Sequence, residues 1–231
     1  MKKNKKLGLV ILSAAVIGIL LLIPLQPETD PLTSSLENNN VINKTVERGF
    51  GTITALNLPI MGSPDAPITI FAFNDYQCPG CKFWFQNIQP NITKNFIDTG
   101  KANMIFVDSE LLGNDSLKAS EATYCANEQG KYFEYQKLLF DSQQGIDDGW
   151  ANSERLKAFA FDLELDLEAF GNCLDSKKYE KKVKFNSYEA KQNGILRAPT
   201  FVVVNSEGGH HIIKGYANFE VFEQVIKNLT P

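Results

Sequence analysis

Histidine, methionine and tryptophan are scarce: the 231 residues include two His, three Met, two Trp and only four Cys. With 43% hydrophobic residues a core of normal size can form, so no lattice of metals or disulfides is needed to fold the chain. Positive charge is not in excess either, since 23 Lys+Arg face 27 Asp+Glu for a net −4. Lys2, Lys3, Lys5, Lys6, Glu28 and Asp30 fall in the first thirty positions, so the remainder carries 19 basic and 25 acidic side chains, a net −6. An acidic body excludes a nucleic-acid role, because nothing would neutralise phosphates. Disorder is excluded as the main theme, as 16 Phe and 11% aromatics are too much core material. Internal repeats are absent. The length suits one domain, or one domain with an insertion, plus an appendage.

The appendage is at the N-terminus. Met1 to Lys6 is basic, and Leu7 to Leu25 then holds no charged residue. These 19 residues, at ~1.5 Å each, cover roughly 28 Å, about the hydrocarbon core of a bilayer. The lysines keep the start in the cytoplasm and direct the rest of the chain to the outside. A signal peptide usually has a shorter apolar run, ending at a small-x-small site that Leu22-Ile23-Pro24-Leu25-Gln26-Pro27 does not offer. The expectation is an uncleaved single-pass anchor over residues 1–27, with a cleaved signal as the alternative. Residues 28–50 are polar, with Asn38-Asn39-Asn40, and read as a flexible tether.

Beyond the tether, Ile68 to Phe73 is a short β-rich apolar run after Pro64 and Pro67, and the pattern turns helical from Cys78. Pro90 interrupts that helix, and Ala102 to Val107 is a second strand, so the two strands pair in parallel across a right-handed connection. Helices follow from Ser116 to about Asn193, with Ser153 and Asp166 as expected N-caps. Thr200 to Val204, the turn Glu207-Gly208-Gly209 and His211 to Lys214 form a hairpin, and Asn218 caps a last helix. The fold class is therefore α/β: an interrupted unit at residues 51–110 and 194–231, split by a helical insertion at residues 111–193.

The chemistry lies at Cys78-Pro79-Gly80-Cys81, which follows a strand and opens a helix. There the free N–H groups and the helix dipole stabilise a thiolate on the first sulfur. The second sulfur lies one turn on, close enough to close a disulfide, so the pair can shuttle two electrons. Pro79 is tolerated in the first turn, where its missing N–H would be unpaired anyway. The alternatives are an inert disulfide or half of a zinc site. Zinc wants a second Cys/His pair at short spacing, whereas Cys125 and Cys173 each stand alone and His210 and His211 lie in a hairpin.

With Arg197-Ala198-Pro199-Thr200-Phe201 before the late strand, the chain resembles the DsbA-like thiol:disulfide oxidoreductases of the thioredoxin superfamily, of the membrane-anchored or secreted kind found in Gram-positive bacteria and archaea. Gly62 to Pro67, Asn74 to Cys81, Glu128 to Phe133 and Gly194 to Phe201 carry the resemblance, which spans roughly residues 56–230. It implies a thioredoxin fold with Cys78 as exposed nucleophile and Cys81 as buried resolving thiol. Pro199 would be a cis-proline whose loop, with Ala198 and Thr200, lies against the active-site disulfide and holds substrate peptide. Cys125 and Cys173 would staple two helices of the insertion, the alternative being two separate thiols. Asp75 is a candidate proton relay for Cys81, or a solvated turn residue.

The resemblance departs at two points. The dipeptide is Pro-Gly rather than Pro-His or Pro-Tyr, which removes one thiolate-stabilising group. Ala198 replaces the usual Val or Thr before the proline. The implied activity is disulfide introduction into exported proteins that carry free thiols, with reoxidation by a quinone-linked membrane partner of the DsbB or VKOR type. The redox-active disulfide would be the only redox group, with no other cofactor and no metal. No dimerisation segment is seen, so a monomer is expected. Rivals are a reductase or isomerase using the same site, and a non-catalytic metal-binding or chaperone module.

Overall fold

A computed structural model describes the backbone over residues 41–48 and 51–230, and side chains from residue 57 onward. The expected anchor at residues 1–27 and the start of the tether lie outside the described residues. Among the described residues no helix is long and apolar enough to cross a membrane.

Six strands form one sheet in the order β1-β2-β4-β3-β5-β6. Its centre is β3 (Ile68–Asn74), paired in parallel with β4 (Ala102–Asp108) and antiparallel with β5 (Thr200–Asn205). Every residue of β3 and β4 is buried, as befits strands covered on both faces. Between them the chain runs through α1 (Pro79–Asn87), α2 (Gln89–Ile92) and a π-helical turn at Thr93–Ile97. The interruption falls beside Pro90, which sits in the first turn of α2, where a missing N–H costs nothing. β6 (His210–Lys214) completes the late hairpin, and α8 (Phe219–Leu229) packs Phe222 against Trp84 and Phe201.

The sequence places residues 28–50 in a tether, but Val41–Arg48 forms β1, paired antiparallel with β2 (Gly51–Met61) from Val41↔Pro59 to Arg48↔Gly51. Ladder hydrogen bonds use main-chain groups, so a polar stretch can be a strand once a neighbour offers its edge.

The insertion holds α3 (Asn114–Asn127), α4 (Tyr132–Ser142), α5 (Ser153–Asp162), α6 (Leu167–Asp175) and α7 (Glu180–Gln192). Asn152 caps α5, its side chain accepting from the Arg155 N–H, so the cap lies one residue before the expected Ser153. Asp166 and Asn218 cap α6 and α8 as expected. Cys125 in α3 and Cys173 in α6 are joined by a disulfide. A second buried cluster, with Tyr135, Phe140, Leu156 and Phe170, fills the insertion and extends to Cys78 and Cys81. The Cys78/Cys81 pair thus sits on the seam between sheet and insertion.

Candidate active site

β3 ends at Asn74, and Asp75-Tyr76-Gln77 turns the chain into α1, with Cys78 at its N-cap in extended conformation. The Cys78 side chain offers no capping bond; Pro79 has no N–H and the Cys81 N–H donates to the Cys78 carbonyl at 3.0 Å, so of the first-turn groups the Gly80 N–H is the one left to face a negative sulfur. Both cysteines are free thiols: Cys81 is fully buried as the resemblance implies, but Cys78 is only 9% exposed and so buried as well, not the exposed nucleophile expected. The Cys78 thiol is lowered to about 7, chiefly by a hydrogen bond from Cys81, with help from the Cys81 and Gly80 N–H groups against the cost of burial. Burial pushes the Cys81 thiol well above its ordinary value. One sulfur ionises near neutrality while its neighbour keeps its proton.

Opposite the pair, the Ala198–Pro199 peptide bond is cis, and the Cys78 thiol donates to the Ala198 carbonyl at 3.1 Å. Only the protonated sulfur can make that bond, so it opposes the N–H groups that favour the thiolate. Thr200 Oγ1 donates back to the Arg197 carbonyl, and the Gly215 N–H donates to the Pro199 carbonyl at 2.8 Å, which ties the β6–α8 loop to the proline loop. Tyr216, on that loop, lies across Gly80. A Cβ at Gly80 would sit 3.1 Å from Tyr216 Cδ1, 3.3 Å from Pro199 Cδ and 3.7 Å from Cys78 Sγ. Glycine in the dipeptide therefore lets the Tyr216 ring lie close, where any larger residue would press on it and require it to give by a few tenths of an ångström. Phe83 packs edge-on against Tyr216, and both rings are about half exposed beside Cys78. Their neighbour Trp84 is core.

Asp75 is buried, not a solvated turn residue. Oδ1 accepts from the Gln77 N–H (2.8 Å) and Ser116 Oγ (2.6 Å), and Oδ2 from the N–H groups of Leu111 (2.8 Å) and Leu112 (2.9 Å). Its pKa is raised by burial, against the pull of these four donors. The carboxylate knots the turn before Cys78 to the first residues of the insertion. Gln77 extends the knot, donating to Ser116 Oγ and Asp147 Oδ1. Gln143 Nε2 donates to the carbonyls of Tyr76 and Cys78 and holds the turn from α4. Sequence reasoning missed Gln77, Ser116, Gln143, Asp147 and Tyr216. These contacts span 39 residues or more from the turn to Ser116, and 65 from Cys78 to Gln143, so no local spacing marks them. Among the described residues no group of three or more His, Cys, Asp or Glu is gathered to hold a metal ion. His210 and His211 lie exposed on β6, away from the cysteines.

A two-cysteine helix start facing a cis-proline loop is an arrangement able to carry out thiol–disulfide exchange. A family model described as Thioredoxin matches residues 54–228, and the chain belongs to that family. It is 27% identical to disulfide bond formation protein D of Bacillus subtilis over 172 residues, 73% of this chain and 75% of that protein. The crystal structure of oxidised BdbD from Bacillus subtilis superposes with a TM-score of 0.67 at 27% identity, covering 75% of this chain and 92% of that one. DsbA of Chlamydia trachomatis gives 0.68 at 28% identity, covering 77% and 93%. Within its family the chain is a DsbA-like protein-disulfide oxidoreductase.

Proposed function

We propose that the chain works outside the cytoplasm, anchored by residues 1–27, and introduces disulfides into exported proteins through Cys78 and Cys81. Residues 51–110 and 194–231 serve as the exchange domain, and residues 111–193 cover it. A substrate thiolate attacks Cys78 Sγ of the oxidised pair. The Cys78–Cys81 bond breaks and Cys81 leaves as a thiolate that takes up a proton. A second substrate thiolate attacks the substrate sulfur of the mixed disulfide and expels Cys78. Two electrons and two protons have then passed from substrate to the pair, and a quinone-linked membrane partner of the DsbB or VKOR type takes them on. No cofactor beyond the disulfide is invoked, and the chain acts as a monomer.

The observation that carries this reading is the asymmetry of the pair. Cys78 is lowered to about 7 while burial keeps the proton on Cys81, so Cys78 is the sulfur that meets substrate in either direction, and the oxidising direction follows the disulfide bond formation protein that the chain resembles. Ala198, Pro199 and Thr200 hold substrate backbone beside the sulfur, and the half-exposed Phe83 and Tyr216 receive its apolar side chains. Asp75 acts first as a positioning group. Accepting the Cys81 proton would require one of its four donors to yield. The cysteine-to-serine variants test the order of attack: Cys81→Ser is expected to accumulate a mixed disulfide with a one-cysteine peptide activated as a disulfide, and Cys78→Ser to form none. Trapping through Cys81 instead would overturn the assignment.

One observation favours the reverse direction. A thiol near 7 matches thioredoxin's ~7 rather than DsbA's ~3.5, as does the loss of a dipeptide side chain at Gly80. A reductase or isomerase with the same site is the second reading.

A further inference from the structure

One segment carries a net positive charge on an otherwise acidic body. Residues 177–192 carry Lys177, Lys178, Lys181, Lys182, Lys184 and Lys191 against Glu180 and Glu189. That is +4, so the rest of the chain beyond residue 30 stands at −10. On α7 the spacing of Lys181, Lys184, Phe185, Tyr188 and Lys191 places all five on one stripe, opposite the buried Val183, Asn186, Ser187 and Ala190. The stripe is solvent-facing: Phe185 is 43% and Tyr188 59% exposed, and the three lysines are exposed too. It contains no acid. Lys184 does pair with Glu180 on its flank, and Lys178 with Glu128 at 2.6 Å, but both lysine side chains stay more than half exposed, where such pairs are weak. Amphipathic rings suit the headgroup level of a bilayer, and lysines beside them suit its anionic phosphates.

The N-terminal connection gives this face its location. Val41 pairs with Pro59 and Ile42 with Leu58, while Lys182 of α7 donates to the Asn57 carbonyl on the same strand. The chain therefore joins the folded part beside α7. Residues 28–40 can span at most roughly 45 Å from an anchor ending at residue 27.

We infer that the Lys181–Lys184–Phe185–Tyr188–Lys191 face of α7 docks on anionic phospholipid headgroups, orienting the tethered domain on the membrane that residues 1–27 enter. The inference rests on the membrane attachment proposed above. The lysines meet the phosphates, and the two rings sit at the headgroup level.

The test uses the full chain reconstituted into vesicles of phosphatidylcholine alone or mixed with phosphatidylglycerol. Flotation first reports attachment, and brief lysine acetylation read by mass spectrometry then reports docking. Lys181, Lys184 and Lys191 are expected to react several-fold more slowly on the anionic vesicles, with the exposed Lys94 and Lys101 unchanged. Each lysine near the surface is worth about a fivefold change in the docked population. Protection should vanish near 1 M salt, where the screening length is about 3 Å, although the chain still floats. It should also fall in Phe185→Ser/Tyr188→Ser, whose circular dichroism and thiol exchange report an intact fold. Equal acetylation on both vesicle types in a chain that floats overturns the inference. So does protection that appears only when other membrane proteins are added, which would assign the face to a protein partner. Failure to float on phosphatidylcholine would instead overturn the attachment itself.

Discussion

Replacing Asp75 by asparagine tests how the active-site turn is held. The carboxylate accepts four hydrogen bonds within 2.9 Å, two on each oxygen, and three come from backbone N–H groups. An asparagine of the same shape has one oxygen for one pair of donors and presents its NH2 to the other pair. Two bonds to a charged group are lost, about 1.5–3 kcal/mol each, and at least one backbone N–H, that of Gln77 when the NH2 turns towards Ser116, is left facing a donor. Relief of the buried charge, whose cost is visible in the raised pKa, returns part of this. The net expected loss is about 2–4 kcal/mol. At a urea slope of about 2 kcal/mol/M the unfolding midpoint of the reduced protein should fall by about 1–2 M. Asp75→Ala should fall at least as far, since all four donors are then unpaired. A midpoint shift under about 0.3 M for Asp75→Asn, with unchanged slope, would refute the claim that this carboxylate knots the turn to the insertion.

Three further outcomes are expected from the same geometry. Breaking the Cys125–Cys173 bridge, which closes a loop of 48 residues, should cost about 4 kcal/mol in the chain-entropy model, read by urea unfolding, and leave the Cys78–Cys81 potential unchanged. Alkylation of Cys78 should rise with pH around a midpoint of about 7, and in Cys81→Ala the midpoint should move up, because the Cys81 hydrogen bond is the largest cause of the lowering. Burial raises Asp108 to about 7, so the folded state binds its proton more tightly than the unfolded chain does. Its contribution to stability should therefore decline as pH rises from about 4 to about 7, and the difference in melting temperature between the parent chain and Asp108→Asn should change across these values in that sense.

Much of the fold was legible because the signals were local. The apolar run Ile68 to Phe73, the cysteine pair after it, and Asp166 and Asn218 as caps act within a few residues, and the structure places them accordingly. Asn152 and Ser153 are adjacent cap formers, and choosing between them needs the backbone, where Asn152 is the extended residue. β1 was hidden because a polar strand differs from a tether only through the partner it pairs with, here β2. The knot around Asp75 was illegible for the same reason: its donors at residues 111, 112 and 116 belong to the insertion, and only folding brings them to the turn. The meaning of Gly80 was half legible. The missing dipeptide side chain stands in the sequence, but Tyr216 lying close against its place does not.

The direction of electron flow is the central claim, and the reduction potential of the Cys78–Cys81 pair tests it most directly. The full chain in detergent is equilibrated against glutathione buffers, with Cys78→Ser as the control that identifies the signal. A potential clearly above thioredoxin's ~−270 mV, towards DsbA's ~−120 mV, is expected of a disulfide donor. A value at or below about −270 mV would contradict the oxidase reading and leave a reductase with the same fold and the same two sulfurs.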